Sequence, residues 1–376
     1  MSKVKILHVL HSVGGVDVSL RLILSNLDPN KFESVVVKGK TDTDRAFYDA
    51  NHAKIKTYNC TIIRNISPLN DLKALKDLQK IVKEEKPDLI HAHSAKGGIL
   101  GKLVGHFKKI PILHTPQAYS FLSVNSKIKK SAFLTIEKVF SKLNNKILAS
   151  STSEQNRAIN EVGYETEKAL IFNNSIKPID EIKPLSIRKT WPDEYICSVG
   201  RPSFQKNIEL MIEILAELKK KNSQIHLVLM GVGFHSPNLE TIKKLIKKYN
   251  LSKNISLLEW TEREDIFHII KKSQLYISTA RYEGLPYSII EALALKKACV
   301  VTDADGNRDL IKDNHNGFVI FDNNIKEFNQ KIELLLSDNE LKKQFEENAY
   351  QRFNSNFNIN NTIQSLERIY LNNLKK

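Results

Sequence analysis

The sequence predicts an α/β protein built from two consecutive doubly wound domains, each a parallel sheet covered by helices on both faces. Two observations carry this. Near-continuous apolar, β-rich runs alternate with stretches of helical periodicity, the pattern of strands buried on both sides. The alternation also runs twice, on either side of a stretch marked by Pro178, Pro184 and Pro192. The length agrees, because 376 residues exceed the roughly 250 to 300 at which a single core stops growing.

In the first half, Lys5 to Leu10 reads as a strand, Ser12-Val13-Gly14-Gly15 as a turn, and Val18 to Leu27 as a helix. Phe32 to Val37 is the next strand, Leu69 to Lys83 an amphipathic helix, and Pro87 to His93 a strand running into a loop. A further helical face spans Lys127 to Ile147, with Ile128, Ile136, Val139, Phe140, Leu143 and Ile147 on one side. In the second half, strands are expected at Tyr195 to Val199, Ile225 to Met230, Ile255 to Leu258, Leu275 to Ser278 and Cys299 to Thr302. Helices are expected at Ile208 to Lys221, Leu239 to Tyr249, Asp265 to Ser273, Ser288 to Leu295, Glu327 to Leu336, Glu340 to Phe353 and Thr362 to Leu374. The domains are therefore placed at 1–180 and 190–358, with a last helix at 359–376.

Composition excludes several classes. Hydrophobic content of 41% argues against disorder, and 14 Gly with 11 Pro against a collagenous or low-complexity chain. Cys60, Cys197 and Cys299 form no Cys-x-x-Cys pair, so neither a disulfide framework nor a zinc site is signalled, and a reducing cytosol fits best. No apolar run approaches a membrane span. The net charge of +15 is uneven, since the 55 residues from Ala92 to Lys146 hold ten Lys against one acid, Glu137. That stretch is the expected anion-facing surface.

In open parallel sheets ligands bind beyond the carboxyl ends of the strands, so the loops there are where chemistry is sought. Gly14-Gly15 lets backbone N–H groups approach an anion or a sugar at a helix start, although a mere tight turn reads equally well. It is no Gly-x-Gly-x-x-Gly fingerprint, which disfavours a nicotinamide enzyme. In Gly200-Arg201-Pro202-Ser203-Phe204-Gln205-Lys206-Asn207, Arg201 and Lys206 can converge on a diphosphate. Gly231-Val232-Gly233 is a third such turn. In the fourth, Glu283 precedes Gly284-Leu285-Pro286 and Glu291 follows on the helix that Pro286 should open, where free N–H groups around Tyr287 and Ser288 face a phosphate.

Gly200-Arg201 with Lys206-Asn207, Glu283 and Glu291 around Glu-Gly-Leu-Pro, and Asp305-Gly306-Asn307-Arg308-Asp309 leading to Asn316-Gly317-Phe318 resemble glycosyltransferase family 4. These are retaining enzymes of GT-B fold, two Rossmann-like domains facing a cleft with a C-terminal helix returning to the first. The resemblance implies that Arg201 and Lys206 bind the donor diphosphate and support the leaving group. Glu283 would hydrogen-bond the donor sugar, the backbone after Pro286 would meet its hydroxyls or the phosphates, and Glu291 would hold the ribose. Gly15 would lie near the diphosphate and the acceptor. No metal and no cofactor is implied, because two cations and a helix N-terminus do the neutralising.

The first half resembles the branch acting on bacterial surface polysaccharides and lipid-linked glycans, through His91-Ala92-His93-Ser94-Ala95-Lys96-Gly97-Gly98 and Thr115-Pro116-Gln117-Ala118-Tyr119. Many relatives carry His where this chain has Gln117. An amide hydrogen-bonds a sugar hydroxyl but takes no proton. Gln117 is the expected sugar contact, with His93 and His114 as further candidates. Lys296 departs from the family's Gly at a helix end, and Asp309 from its Glu.

The resulting expectation is a metal-independent, retaining transferase that moves a hexose or N-acetylhexosamine from a nucleotide diphosphate sugar, with UDP the expected nucleotide, to a lipid-diphosphate-linked or polysaccharide glycan. It would be cytoplasmic and peripheral on the inner face of the membrane, meeting anionic lipid through the Ala92 to Lys146 region. A packed helix with a wet lysine face is the equal alternative there. A nucleotide-sugar epimerase of similar fold is the rival enzyme. A nucleic-acid-binding protein finds no basic stripe with interleaved aromatics to support it.

Overall fold

The computed structural model describes residues 3–12, 14–63, 67–124, 126–233 and 236–374, so Val13 of the first glycine turn lies outside the described residues. The chain divides into two compact units, Met1–Lys177 with Ile359–Lys376, and Pro178–Asn358.

The first unit runs β1 (Val4–Val9), α1 (Gly15–Leu24), β2 (Phe32–Gly39), β3 (Thr57–Cys60), α2 (Pro68–Glu85), β4 (Leu89–His93) and α3 (Ser94–Lys108). It continues with β5 (Ile112–Thr115), α4 (Lys127–Ser141), β6 (Lys146–Ala149), α5 (Thr152–Arg157) and β7 (Ala169–Ile171). All seven strands are parallel, in the order β3-β2-β1-β4-β5-β6-β7. Alternate residues of each buried strand feed opposite faces. Leu7, Val9, Val35, Val37 and Ile90 pack with Leu78 and Val82 of α2 and Leu100 and Val104 of α3. Ile6, Leu89, Leu113 and Leu148 pack on the other side with Ile23 of α1.

The second unit runs β8 (Ile196–Val199), α6 (Ile208–Lys221), β9 (Leu227–Met230), α7 (Leu239–Lys248), β10 (Ile255–Leu258), α8 (Arg263–Lys272) and β11 (Tyr276–Ser278). It ends with α9 (Tyr287–Ala294), β12 (Cys299–Thr302), α10 (Asp305–Leu310), β13 (Gly317–Ile320), α11 (Ile325–Ser337) and α12 (Asn339–Asn356). Its six strands are also parallel, in the order β10-β9-β8-β11-β12-β13. Helix α6 shows why such segments form. Ile208, Met211, Leu215 and Leu218 recur at helical spacing on the buried face, and Lys219, Lys220 and Lys221 close the end where the helix dipole favours cations. Asn324 and Asp338 cap α11 and α12 by accepting the N–H of Glu327 and Leu341.

The last helix, α13 (Ile359–Asn372), belongs to the first unit. Ile363, Leu366 and Tyr370 join the α1 face of the first sheet. The Ile359 N–H donates to Ile176 at 2.9 Å, and the Asp28 N–H to Glu367 at 2.9 Å.

One expected element is corrected. The helix predicted to reach Ile147 stops at Ser141, and Ile147 is a buried residue of β6. Asn145 ends it, its amide donating to the carbonyls of Phe140 and Leu143 at 2.9 Å each. Pro286 stands one residue before α9 as its N-cap, with extended backbone, rather than within the first turn. No helix among the described residues is long and apolar enough to cross a membrane.

Candidate active site

In each unit the strand order reverses beside one central strand, between β1 and β4 in the first and between β8 and β11 in the second. Loops leaving such a pair diverge to opposite faces and open a crevice at the carboxyl edge. Of the loops singled out in the sequence, those after β1, β8 and β11 leave these strands and that after β9 lies next to them, whereas β4 runs straight into α3 and Gln117 follows β5.

In the second unit, β8 leads into Gly200 to Asn207 and β11 into Arg281 to Pro286. The Lys206 ammonium meets the Glu283 carboxylate at 2.7 Å, and the Gln205 amide donates to the other Glu283 oxygen at 3.1 Å. Glu283 is buried while Lys206 is part-exposed. The loops are also joined through backbone. The Arg281 N–H donates to Gln205 at 2.8 Å, and the Thr279 hydroxyl donates to the carbonyls of Lys206 and Asn207 at 3.1 and 2.9 Å. A Cβ on Gly200 would stand 3.2 Å from the Lys206 stem, so glycine lets that side chain fold back across it. Arg201 on the same loop is exposed and forms no ion pair among the described residues. Gly231, with φ 86°, ends β9 against the Gly200 backbone.

A Cβ on Gly306 would lie 2.4 Å from the Gly284 carbonyl oxygen and 2.8 Å from Pro286, so the start of α10 backs the Glu283 loop directly. Helix α9 then begins at Tyr287, both Tyr287 and Ser288 are part-exposed, and Ser288 bonds the buried Tyr276 phenol. Glu291, one turn further, takes the Arg263 guanidinium at 2.7 Å. Burial raises the Glu291 pKa and Arg263 pulls it back. Gln205, Arg263 and Arg281 were not read from the sequence as site residues. Gln205 was signalled only by its place beside Lys206, and Arg263 by nothing local.

In the first unit, Gly14 caps α1 with φ 60° and Gly15 is its first residue, both exposed. The turn is pinned by buried Asp42, which accepts the N–H of Ser12 at 2.5 Å and of Gly39 at 2.8 Å. His93 and His114 are placed differently from Gly15. Both rings are fully enclosed, with His93 Nε2 3.2 Å from His8 Nδ1 and His114 Nε2 3.1 Å from the Ser94 carbonyl. Burial pulls the His93 pKa down to about 3 and holds His114, His8 and His91 well below the usual histidine range. These rings are neutral at neutral pH, and His93 Nδ1 and His114 Nδ1 are enclosed without a hydrogen-bond partner among the described residues.

His8, His91 and His93 bring three ring nitrogens within 4.8 Å of one another. His91 has both nitrogens engaged, with the Tyr370 hydroxyl at 2.8 Å and the Thr115 hydroxyl at 2.9 Å. The cluster thus ties α13 to the end of β5. Beyond β5 lies Gln117, part-exposed, with neither amide atom finding a partner among the described residues.

Two family models match this chain, glycosyl transferase 4-like domain over residues 14–174 and glycosyl transferases group 1 over residues 182–352. The chain belongs to the group 1 glycosyltransferases. Among curated proteins, this glycosyltransferase is 28% identical over 326 residues to the UDP-Gal:alpha-D-GlcNAc-diphosphoundecaprenol alpha-1,3-galactosyltransferase of Escherichia coli, covering 83% of this chain and 82% of that one. Sucrose-phosphate synthase from Thermosynechococcus elongatus shares the fold with TM-score 0.82 and 16% identity, over 99% of both chains. HepE of Anabaena, solved with UDP and glucose, does so with TM-score 0.80 and 17% identity, over 98% of this glycosyltransferase and all of HepE.

Proposed function

We propose that this glycosyltransferase moves a hexosyl or N-acetylhexosaminyl group from a UDP-linked donor to a lipid-diphosphate-linked glycan in bacterial surface-polysaccharide synthesis, with retention and without a divalent metal. The observation that carries the reading is the Lys206–Glu283 pair, 2.7 Å apart at the reversal point of the second sheet with Arg201 on the same loop. Lys206 and Arg201 would take the diphosphate, the first as a point charge and the second as a planar fork. Glu283, held by Lys206 and Gln205, would accept hydroxyls of the sugar, and Glu291 those of the ribose. The diphosphate-linked lipid acceptor named for the Escherichia coli relative supports the acceptor class.

In a front-face transfer the bond from the anomeric carbon to the diphosphate oxygen breaks and its electron pair leaves with the diphosphate. The acceptor oxygen bonds that carbon from the same face, and its proton passes to the departing phosphate. No protein base is required, so an amide at Gln117 is compatible with turnover. Its task would be to orient a hydroxyl. His93 and His114 would serve as the neutral packing around it.

A membrane contact is part of the proposal, with the enzyme on the inner face of the cell membrane. Helix α4 turns Glu137 and Ser141 inward and leaves Ile128 and Val139 83% and 61% exposed beside Lys127, Lys129, Lys130, Lys138 and Lys142. An apolar strip bordered by lysines suits an anionic lipid surface. Transfer from a panel of nucleotide sugars to a diphosphate-lipid-linked N-acetylhexosamine, read by product mass and anomeric configuration, tests the reading. A single preferred UDP-sugar with retention is expected. Inversion, a strict requirement for a divalent ion, or epimerisation without acceptor would defeat it.

A further inference from the structure

Two residues that lack glycine's freedom, Gln117 and Ala118, adopt left-handed backbone in succession, with φ 54° and 75°. A residue bearing Cβ enters that region unfavourably, and such a pair persists only where its surroundings impose it. Here the imposing group is Glu154. Its Oε1 accepts the Ala118 N–H at 2.7 Å, while Oε2 accepts the Ser150 N–H at 2.7 Å and the Ser150 hydroxyl at 2.8 Å. Only 3% of Glu154 is exposed.

The local sequence makes this use of Glu154 unusual. Ser151-Thr152-Ser153-Glu154 has the spacing of a capping box, and Ser151 does accept the Glu154 N–H at 3.1 Å to open α5. In that motif the glutamate ordinarily returns to the cap residue's own N–H. Glu154 instead reaches the Ser150 N–H, one residue earlier, and also crosses to the turn that follows β5. It bridges the carboxyl ends of two strands, β6 and β5, and fixes the loop that carries Gln117. Both atoms of the Gln117 amide are shut off from water without a hydrogen-bond partner among the described residues. An amide in that state is unfavourable unless something else uses it.

We propose that Glu154 is a positioning residue whose buried carboxylate clamps the left-handed Gln117–Ala118 turn and so presents the Gln117 amide to a substrate hydroxyl. The substrate half of this rests on the reading of Gln117 given under the proposed function; the clamp itself does not. Glu154→Gln puts an amide NH2 opposite one of the N–H donors and breaks the bridge. Hydrogen exchange at the Ala118 amide reads the clamp directly, independent of any activity. In Glu154→Gln that amide should exchange at least about tenfold faster. The kcat should fall roughly ten- to hundredfold, as for a misplaced orienting group, with the donor KM within about twofold. Adding Ala118→Gly, which makes the left-handed turn accessible without the clamp, should return kcat to within about threefold of wild type.

Unchanged exchange at Ala118 together with unchanged kcat in Glu154→Gln overturns the proposal. So does a loss of kcat accompanied by a large fall in Tm with no recovery on Ala118→Gly, which is the signature of a merely structural glutamate. Gln117→Ala at wild-type turnover would remove the substrate reading of Gln117, while exchange at Ala118 still decides whether Glu154 holds the turn. If Glu154→Gln does not fold, Glu154→Asp, which keeps the charge but withdraws it by one methylene, carries the same three measurements.

Discussion

The two units share one strand order and place their notable loops at the same reversal point, yet they fill it with opposite chemistry. The second unit brings charges together, in Lys206–Glu283 on two loops joined by a backbone hydrogen bond and in Arg263–Glu291 between helices α8 and α9. The first unit lines the corresponding edge with neutral, enclosed histidines and a left-handed turn carrying an unpaired amide. On the proposed function, the contrast would separate two tasks. Gripping a diphosphate needs cations, and few arrangements of loop cations work. Orienting a hydroxyl needs shape and hydrogen bonds, which many residue sets provide.

The largest expected effects fall on the charged side. Glu283→Gln or Lys206→Ala should lower kcat by about 10² to 10³, in the range of losing a preorganised electrostatic group, with Tm near wild type. Turnover within a few fold of wild type for either variant would break the contrast at its root.

A buried charge pair in the first unit gives the next effect. Lys102 and Glu137 face each other at 3.5 Å, nearly inaccessible to water, and burial lowers the Lys102 pKa. Replacing Lys102 alone by Met strands the carboxylate and should cost about 3 kcal/mol in urea denaturation. Lys102→Met with Glu137→Leu should recover most of that. A double variant no better than the single one would show that α4 needs the pair.

The buried histidines predict acid sensitivity concentrated in the first unit, with His226 the lesser contributor in the second. Burial depresses these pKa values in the folded chain below the unfolded 6.5, so the unfolded state takes up protons first as pH falls. Stability is complete above about pH 6.5 and should then drop by about 1.4 kcal/mol per pH unit for each ring. Hydrogen exchange across the first sheet at pH 7.5 and 5.5 would reveal it, and equal protection at both values would contradict it. The smallest effect concerns Lys296, which ends α9 with φ 58°. Lys296→Gly should stabilise the second unit by about 0.5 to 1 kcal/mol, net of its exposed pair with Glu347.

How far the sequence alone reached follows from the same division. The strands β8 to β12 and their helices were legible because apolar runs and amphipathic stretches are cleanly punctuated there. Strands β3, β5, β6, β7 and β13 are no shorter than β8 to β12, but they lack flanking amphipathic stretches that set them apart, and Lys146 to Ala149 continues the helical face before it. Ile147 continued a helical face on paper, and only the Asn144-Asn145 pair hinted that the helix was over. Of the ten lysines in the basic stretch, Lys102 turned inward to the one acid present, a pairing of residues 35 apart that no local pattern discloses. Arg201, Lys206, Glu283 and Glu291 stand out in the sequence because their spacing and loop context are informative, and the structure pairs Lys206 with Glu283 but leaves Arg201 exposed and unpaired among the described residues. Glu154 was within reach through Ser151-x-x-Glu154, but that pattern points to a helix cap and not to the turn it holds.

Calorimetric titration of UDP into wild type and Lys206→Ala tests the central claim most directly. Saturable binding to wild type without added divalent metal is expected, weakened at least about tenfold in Lys206→Ala by loss of a charge-assisted phosphate contact. Equal affinity in the two proteins would show that the diphosphate is held elsewhere.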